Sequence, residues 1–203
     1  MNNKDNQALQ NYINITKQEV ENSLNNLDIE AIDKAAEIIK NAKKNKNRIH
    51  VSGIGKPGHI AGYIASLMSS TGTPTYFLHG TEAVHGSCGQ LVKGDVVIFI
   101  SKSGETQEMK VTVNAILNNE CIVIGVSGNP NSWLANNSSV HLTAHIDNEG
   151  GPLNRAPRNS ILSELINLQA LSVVLQSDAD VDPKQYVKWH PGGKLGELRN
   201  NEK

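Results

Sequence analysis

Between Asn3 and Lys46 the chain is mostly polar, and apolar residues return at Leu9, Ile13, Val20 and Leu24 and again at Ile32, Ala35, Ile38 and Ile39. These spacings predict two amphipathic helices, broken near Leu27-Asp28, with Asp28 as the N-cap of the second. Beyond the basic stretch Lys43–Arg48 the pattern changes to Ile49-His50-Val51, a short strand that ends abruptly at Gly53. Helical periods over Tyr63–Ser69 and Met109–Leu117 then alternate with apolar runs at Tyr76–Leu78, Val96–Ile100, Ile122–Val126 and Val140–Ile146. A long helix over about Ser160 to Gln176 closes the main body, and the tail is turn-rich around His190-Pro191-Gly192-Gly193.

Strands alternating with helices predict parallel βαβ units, and a run without polar alternation, such as Val96–Ile100, fits a strand covered on both faces. The expected fold is α/β, a three-layer sandwich on a five-stranded parallel sheet. It forms one domain over 1–203: N-terminal helices over 1–46, a core over 47–178 and a tail over 179–203. In such sheets a ligand sits outside the carboxyl ends of the strands. The loops after Val51, Leu78, Ile100, Val126 and Ile146 are therefore the places to look for chemistry.

Composition narrows the function. A net charge of −1 and an aromatic content of 4% give neither a phosphate-tracking basic face nor a base-stacking platform, so nucleic acid is not the expected partner. The longest apolar run, Val96–Ile100, is far short of the roughly 20 residues that span a bilayer. With no leader pattern after Met1 and with only Cys88 and Cys121, a cytoplasmic protein without disulfides is expected.

The first loop, Gly53-Ile54-Gly55-Lys56-Pro57-Gly58, formally contains a dinucleotide-binding G-x-G-x-x-G. The second strand, however, ends Phe77-Leu78-His79-Gly80, with no acid for a ribose hydroxyl, and Lys56 stands where such a loop uses only backbone. A tight strand-to-helix turn, or a small anionic ligand reached by Lys56, accounts for it better. After the third strand comes Ser101-Lys102-Ser103-Gly104-Glu105-Thr106, three hydroxyls around a glycine opening into a helix. Backbone N–H groups and the helix dipole suit that loop to phosphate; a simple N-cap would use one hydroxyl, not three. His79, Glu82, His85 and Cys88 are spaced by threes, unlike a dedicated metal motif, so no metal is expected to be required, with His79 a candidate ligand for inhibitory zinc. Taken alone, Glu149 reads as a loop acid at the end of a strand, and His190 as a turn histidine.

Together, Gly53–His59, Ser70-Thr71-Gly72-Thr73-Pro74, His79–Gly86, Ile100–Thr106 and His190–Gly196 resemble the signature segments of arabinose-5-phosphate isomerases, members of the sugar isomerase (SIS) domain family. The likeness runs in consistent order from about Ile49 to Gly196. It implies a flavodoxin-like fold, no cofactor, and an aldose–ketose isomerase that interconverts D-ribulose 5-phosphate and D-arabinose 5-phosphate on the way to the sugar Kdo of lipopolysaccharide or capsule. The positions matching the family's catalytic residues are Lys56, Glu108, Glu149 and His190. Those matching its substrate-binding residues are Gly55, Gly72, Thr73, His85, Ser101, Ser103 and Thr106. It further implies a homotetramer in which His85 or His190 acts on a neighbour's site. Many members continue into a pair of CBS domains, so this chain looks like the short form. Where the family has a Ser/Thr-rich opening to the late helix, this chain reads Ala156-Pro157-Arg158-Asn159-Ser160.

The expected reaction removes a C1 proton to give a cis-enediolate and returns a proton to C2. The base is His190 or Glu149, Glu108 positions hydroxyls, and Lys56 stabilises the enediolate oxygens. With no separate regulatory domain in the chain, feedback by a downstream sugar nucleotide such as CMP-Kdo is expected to use the same pocket. A 6-phospho-3-hexuloisomerase-like enzyme and a non-catalytic sugar-phosphate sensor are the alternatives. Residues 1–48 are too short and too polar for the helix-turn-helix that a transcriptional sensor would carry.

Overall fold

The computed structural model describes residues 2–202. Two helices open the chain, α1 (Asn3–Asn25) and α2 (Ile29–Lys44). Asp28 caps α2 as expected, its carboxylate accepting from the Ala31 N–H at 2.9 Å. The core then alternates: β1 (Ile49–Gly53), α3 (Lys56–Ser70), β2 (Thr75–His79), β3 (Val96–Ile100), α4 (Gln107–Asn118), β4 (Ile122–Ser127), α5 (Trp133–Asn136) and β5 (Val140–Thr143). Two short 3₁₀ turns, Glu82–His85 and Ser87–Gln90, separate β2 from β3. Helix α6 (Asn159–Ala179) and a short α7 (Pro183–Trp189) follow.

All strands pair in parallel, in the order β2-β1-β3-β4-β5. One face of the sheet packs Ile49, Val51, Ile98 and Ile100 against α2, α3 and α6. The other packs Val97, Phe99 and Val123 against α4 and α5. The predicted three-layer, five-stranded parallel sandwich is therefore the observed one. Strand order reverses between β1 and β3, so the loops after these two strands open a crevice at the carboxyl edge.

Three elements depart from the sequence pattern. β5 ends at Thr143 rather than Ile146, because the exposed His145 turns aside to pair with the Gly128 carbonyl at 3.1 Å. α7 forms in the stretch before His190, to which the pattern assigns no element: Asp182 caps it, accepting from the Gln185 N–H at 2.7 Å, with Pro183 in its first turn. In α1 the periodicity predicts that the apolar positions are the buried ones. Instead Leu9 and Leu24 are exposed while Glu19 and Ser23 are buried, because part of what α1 meets is loop backbone rather than an apolar layer.

Candidate functional site

At the switch point a cavity of about 320 Å³ is lined by Ile54 and Pro57 from the first loop, by Ser101, Lys102, Ser103 and Thr106 from the third, and by Glu108 and Met109 from α4. The first loop can begin α3 flush against β1 because a Cβ on Gly58 would sit 2.8 Å from the Gly53 carbonyl oxygen. Gly55 turns the chain at φ +69°, and Lys56 stands exposed at the helix start, with no hydrogen bond or ion pair to the described residues.

The third loop keeps donors available. Ser101 Oγ accepts from the Gly104 N–H at 3.3 Å and Ser103 Oγ from the Glu105 N–H at 3.2 Å, which fixes both hydroxyls in place. Thr106 is the N-cap residue of α4, but its side chain makes no capping bond. Thr106 and the start of α4, with Glu108 and Met109, line the same cavity, and a helix N-terminus of this kind is suited to an anion such as phosphate. Glu105 ties the loop down through Lys110 and the Trp133 N–H, each at 2.7 Å, and these bonds lower its pKa.

Lys102 reaches from this loop to Glu149. Glu149 is 1% exposed, and its carboxylate also accepts from Ser160 Oγ at 2.7 Å and from the backbone N–H groups of Arg158 (2.6 Å) and Ser160 (3.1 Å). Burial pushes this carboxyl up, but Lys102 and the bonds from Arg158 and Ser160 outweigh it and hold Glu149 below the usual carboxylate range. The carboxylate therefore occupies the N-terminus of α6, a helix whose opening Arg158-Asn159-Ser160 has few hydroxyls of its own. Glu149 does not line the cavity; Lys102, about half exposed, stands between.

One turn further along α6, Glu164 is buried, and neither carboxylate oxygen has a hydrogen-bond partner among the described residues. Burial, with the nearby Glu149 charge added, raises its pKa to about 8 against the opposing pull of Lys102. Sequence reasoning passes over both Lys102 and Glu164. The Lys102–Glu149 partnership spans 47 residues of sequence, and no local pattern announces it.

The remaining predicted residues are distributed unevenly. Glu108 lines both the main cavity and a neighbouring hollow of about 310 Å³ that includes the exposed His85. His79 accepts at Nδ1 from the Glu82 N–H at 3.2 Å, and no three His, Cys, Asp or Glu side chains gather as a metal-holding group among the described residues. Gly72 and Thr73 precede β2, at the amino edge of the sheet. Gly72 lies against Ala179, Val181 and Trp189, which places α7 and His190 at that edge too. His190 bonds the Tyr186 carbonyl at 2.8 Å and stacks on the Tyr186 ring at 4.0 Å. Between it and Glu149 runs the 21-residue α6, about 30 Å long. One chain thus assembles Gly55, Lys56, Ser101, Ser103, Thr106, Glu108 and Glu149 at one edge and leaves Gly72, Thr73 and His190 at the other. No helix among the described residues is long and apolar enough to cross a membrane.

Comparison with known proteins agrees with this architecture. The chain is 40% identical over 172 residues to arabinose 5-phosphate isomerase KdsD of Francisella tularensis, a match covering 85% of this chain and 52% of that protein. It is 39% identical over 151 residues to KdsD of Pseudomonas aeruginosa, covering 74% and 46%. The chain therefore spans about half the length of these curated relatives. The structure of c3406 from Escherichia coli CFT073, solved in complex with arabinose 5-phosphate, superposes with a TM-score of 0.82 at 31% identity, covering 94% of this chain and all of that one. The model of the SIS domain matches residues 44–174, and the chain belongs to the SIS domain family.

Proposed function

We propose that this protein is an aldose–ketose isomerase interconverting D-ribulose 5-phosphate and D-arabinose 5-phosphate. The observation that carries this reading is the convergence of Ser101, Ser103, Thr106, the first turn of α4 and Lys102, which Glu149 holds from behind, on one cavity of about 320 Å³. The names of the curated relatives, and the arabinose 5-phosphate complex of a relative that this chain matches end to end, support the same substrate.

Ser101, Ser103, Thr106 and the α4 N-terminus hold the phosphate, and that remote binding energy orients C1 and C2 of the open-chain sugar. Lys56, with no other partner among the described residues, stabilises charge on the enediolate oxygens. Glu108, at the junction of the two hollows, positions the sugar hydroxyls. Glu149, already satisfied by four donors and held ionised, is a poor proton acceptor; it fixes Lys102 beside the phosphate loop. The base that moves the proton from C1 to C2 is then His190, supplied by a second copy of the chain, while His85 closes the hollow beside Glu108; Gly72 and the buried Thr73 shape the edge that carries His190. A homotetramer with shared sites provides that copy.

The product feeds Kdo synthesis for lipopolysaccharide or capsule, and CMP-Kdo binding in the same cavity would give feedback, visible as a rise in Tm on titration. The decisive experiment incubates the purified protein with ribulose 5-phosphate in deuterated water. Arabinose 5-phosphate carrying deuterium at C2 is expected; absence of any aldose would overturn the reading.

A further inference from the structure

Helix α1 lies outside the matched residues 44–174, and the sequence pattern gives it no role beyond packing. Its buried contacts are nevertheless polar and specific. Glu19, 5% exposed, accepts from the backbone N–H of Asn148 at 2.7 Å and of Asp147 at 3.2 Å, the two residues immediately before Glu149. Thr16 Oγ1 donates to Asn159 Oδ1 at 2.9 Å, and Asn159 Nδ2 in turn donates to the Asn148 carbonyl at 2.8 Å. Tyr12 faces Gly150: a Cβ there would come 3.1 Å from a Tyr12 ring carbon, and Gly150 also takes the left-handed φ of +76°. Tyr12, Thr16 and Glu19 are spaced i, i+4, i+7 and so share one face of α1. That face grips residues 147, 148, 150 and 159 on both sides of Glu149.

The grip has an energetic reason. A carboxylate buried without donors is costly, and Glu19 finds its donors in the Asp147 and Asn148 N–H groups, a charge-assisted pair that leaves the loop little freedom. From the other side, the Glu149 N–H donates to Asn154 Oδ1 at 2.6 Å and the Glu149 carboxylate caps α6. Asn154 Nδ2 also donates to Asn148 Oδ1 at 3.2 Å, so the backbone that Glu19 holds and the Glu149 residue belong to one hydrogen-bonded network.

We infer that Glu19 is a positioning residue for the site: through the Asp147 and Asn148 amides it sets the Glu149 loop, hence the carboxylate that orients Lys102, and α1 is part of the catalytic apparatus. The activity consequences rest on the isomerase reading; the loop consequence does not.

The test compares wild type with Glu19→Ala, and with the milder Thr16→Val in case the first variant fails to fold. Amide hydrogen exchange over 145–154 should rise by at least about tenfold in Glu19→Ala and less in Thr16→Val, with β1, β3 and α4 unchanged. With ribulose 5-phosphate, Glu19→Ala should lower kcat by roughly tenfold and leave KM within about twofold. In a Glu149→Gln background the same substitution should cost little more, because the two residues act on one element. Unchanged exchange over 145–154 overturns the inference whatever the substrate. Independent losses from Glu19→Ala and Glu149→Gln, multiplying in kcat and adding in Tm, overturn it too. If wild type fails to turn over ribulose 5-phosphate, the isomerase reading falls, while exchange and the Tm cycle still decide whether Glu19 holds the loop.

Discussion

The carboxyl and amino edges of the sheet carry site residues held in very different ways. At the carboxyl edge Glu149 is buried beneath four donors, Ser101 and Ser103 are pinned by loop amides, and Glu19 grips the adjoining backbone. At the amino edge the His190 ring is held beside a seven-residue helix by one carbonyl bond and one ring stack. The first half is tied together by several loop bonds, whereas at the second Thr73 is buried against Lys43 and His190 stands half-buried beside the short α7. The difference suits the proposed division of the site between copies, in which the phosphate and the charges would be held where the fold is stiffest and the proton carrier delivered from outside.

The largest expected effect tests the stiff half. Glu149→Gln should reduce kcat by about 10²–10³-fold, since Lys102 loses its anchor, and should also lower stability by about 3 kcal/mol, because buried N–H groups lose a charged acceptor. Full activity, or an unchanged Tm, would show that the carboxylate is peripheral. His190→Ala should lower kcat by on the order of 10² with stability within about 0.5 kcal/mol of wild type. The sharper form of that experiment mixes His190→Ala with Lys56→Ala under conditions that let subunits exchange. Each variant alone should be nearly inactive, and the mixture should regain activity because some sites then receive both intact halves. Failure of the mixture to recover would place His190 in its own chain's site.

The smallest effect concerns Glu164, buried within the stiff half. Its carboxyl is neutral in the folded chain until about pH 8, but ionises near 4.5 once unfolded. Its contribution to stability is therefore fully present below about pH 4.5 and is lost as pH rises toward 8. Glu164→Gln should flatten the decline of Tm across that window; an identical slope in the two proteins would mean that the group is already ionised when folded.

How legible these halves are in the sequence depends on range. The strands can be read because burial on both faces makes Val96–Ile100 apolar throughout, and the phosphate loop because its hydroxyls and its helix are contiguous. Glu149 stands out only through its place at the end of a strand and through resemblance. Lys102 and Glu19 cannot be found in this way: their partners lie 47 and more than 120 residues away, and a lysine or glutamate on an otherwise polar segment looks like solvated surface. The α7 signal, Asp182 before Pro183, is present but too short to outweigh the turn-rich residues after it.

Helix α6 begins at the Glu149 carboxylate and ends beside Gly72, so it fixes the spacing between the two edges of the chain that the proposed shared site would use. Inserting or deleting a residue in its middle would shift one display relative to the other by about 1.5 Å and rotate it by about 100°. If sites are shared as proposed, assemblies built from such chains would mismatch at every one of them at once, and length in this helix would be under tighter constraint than its exposed residues, such as Val173 and Gln169, suggest.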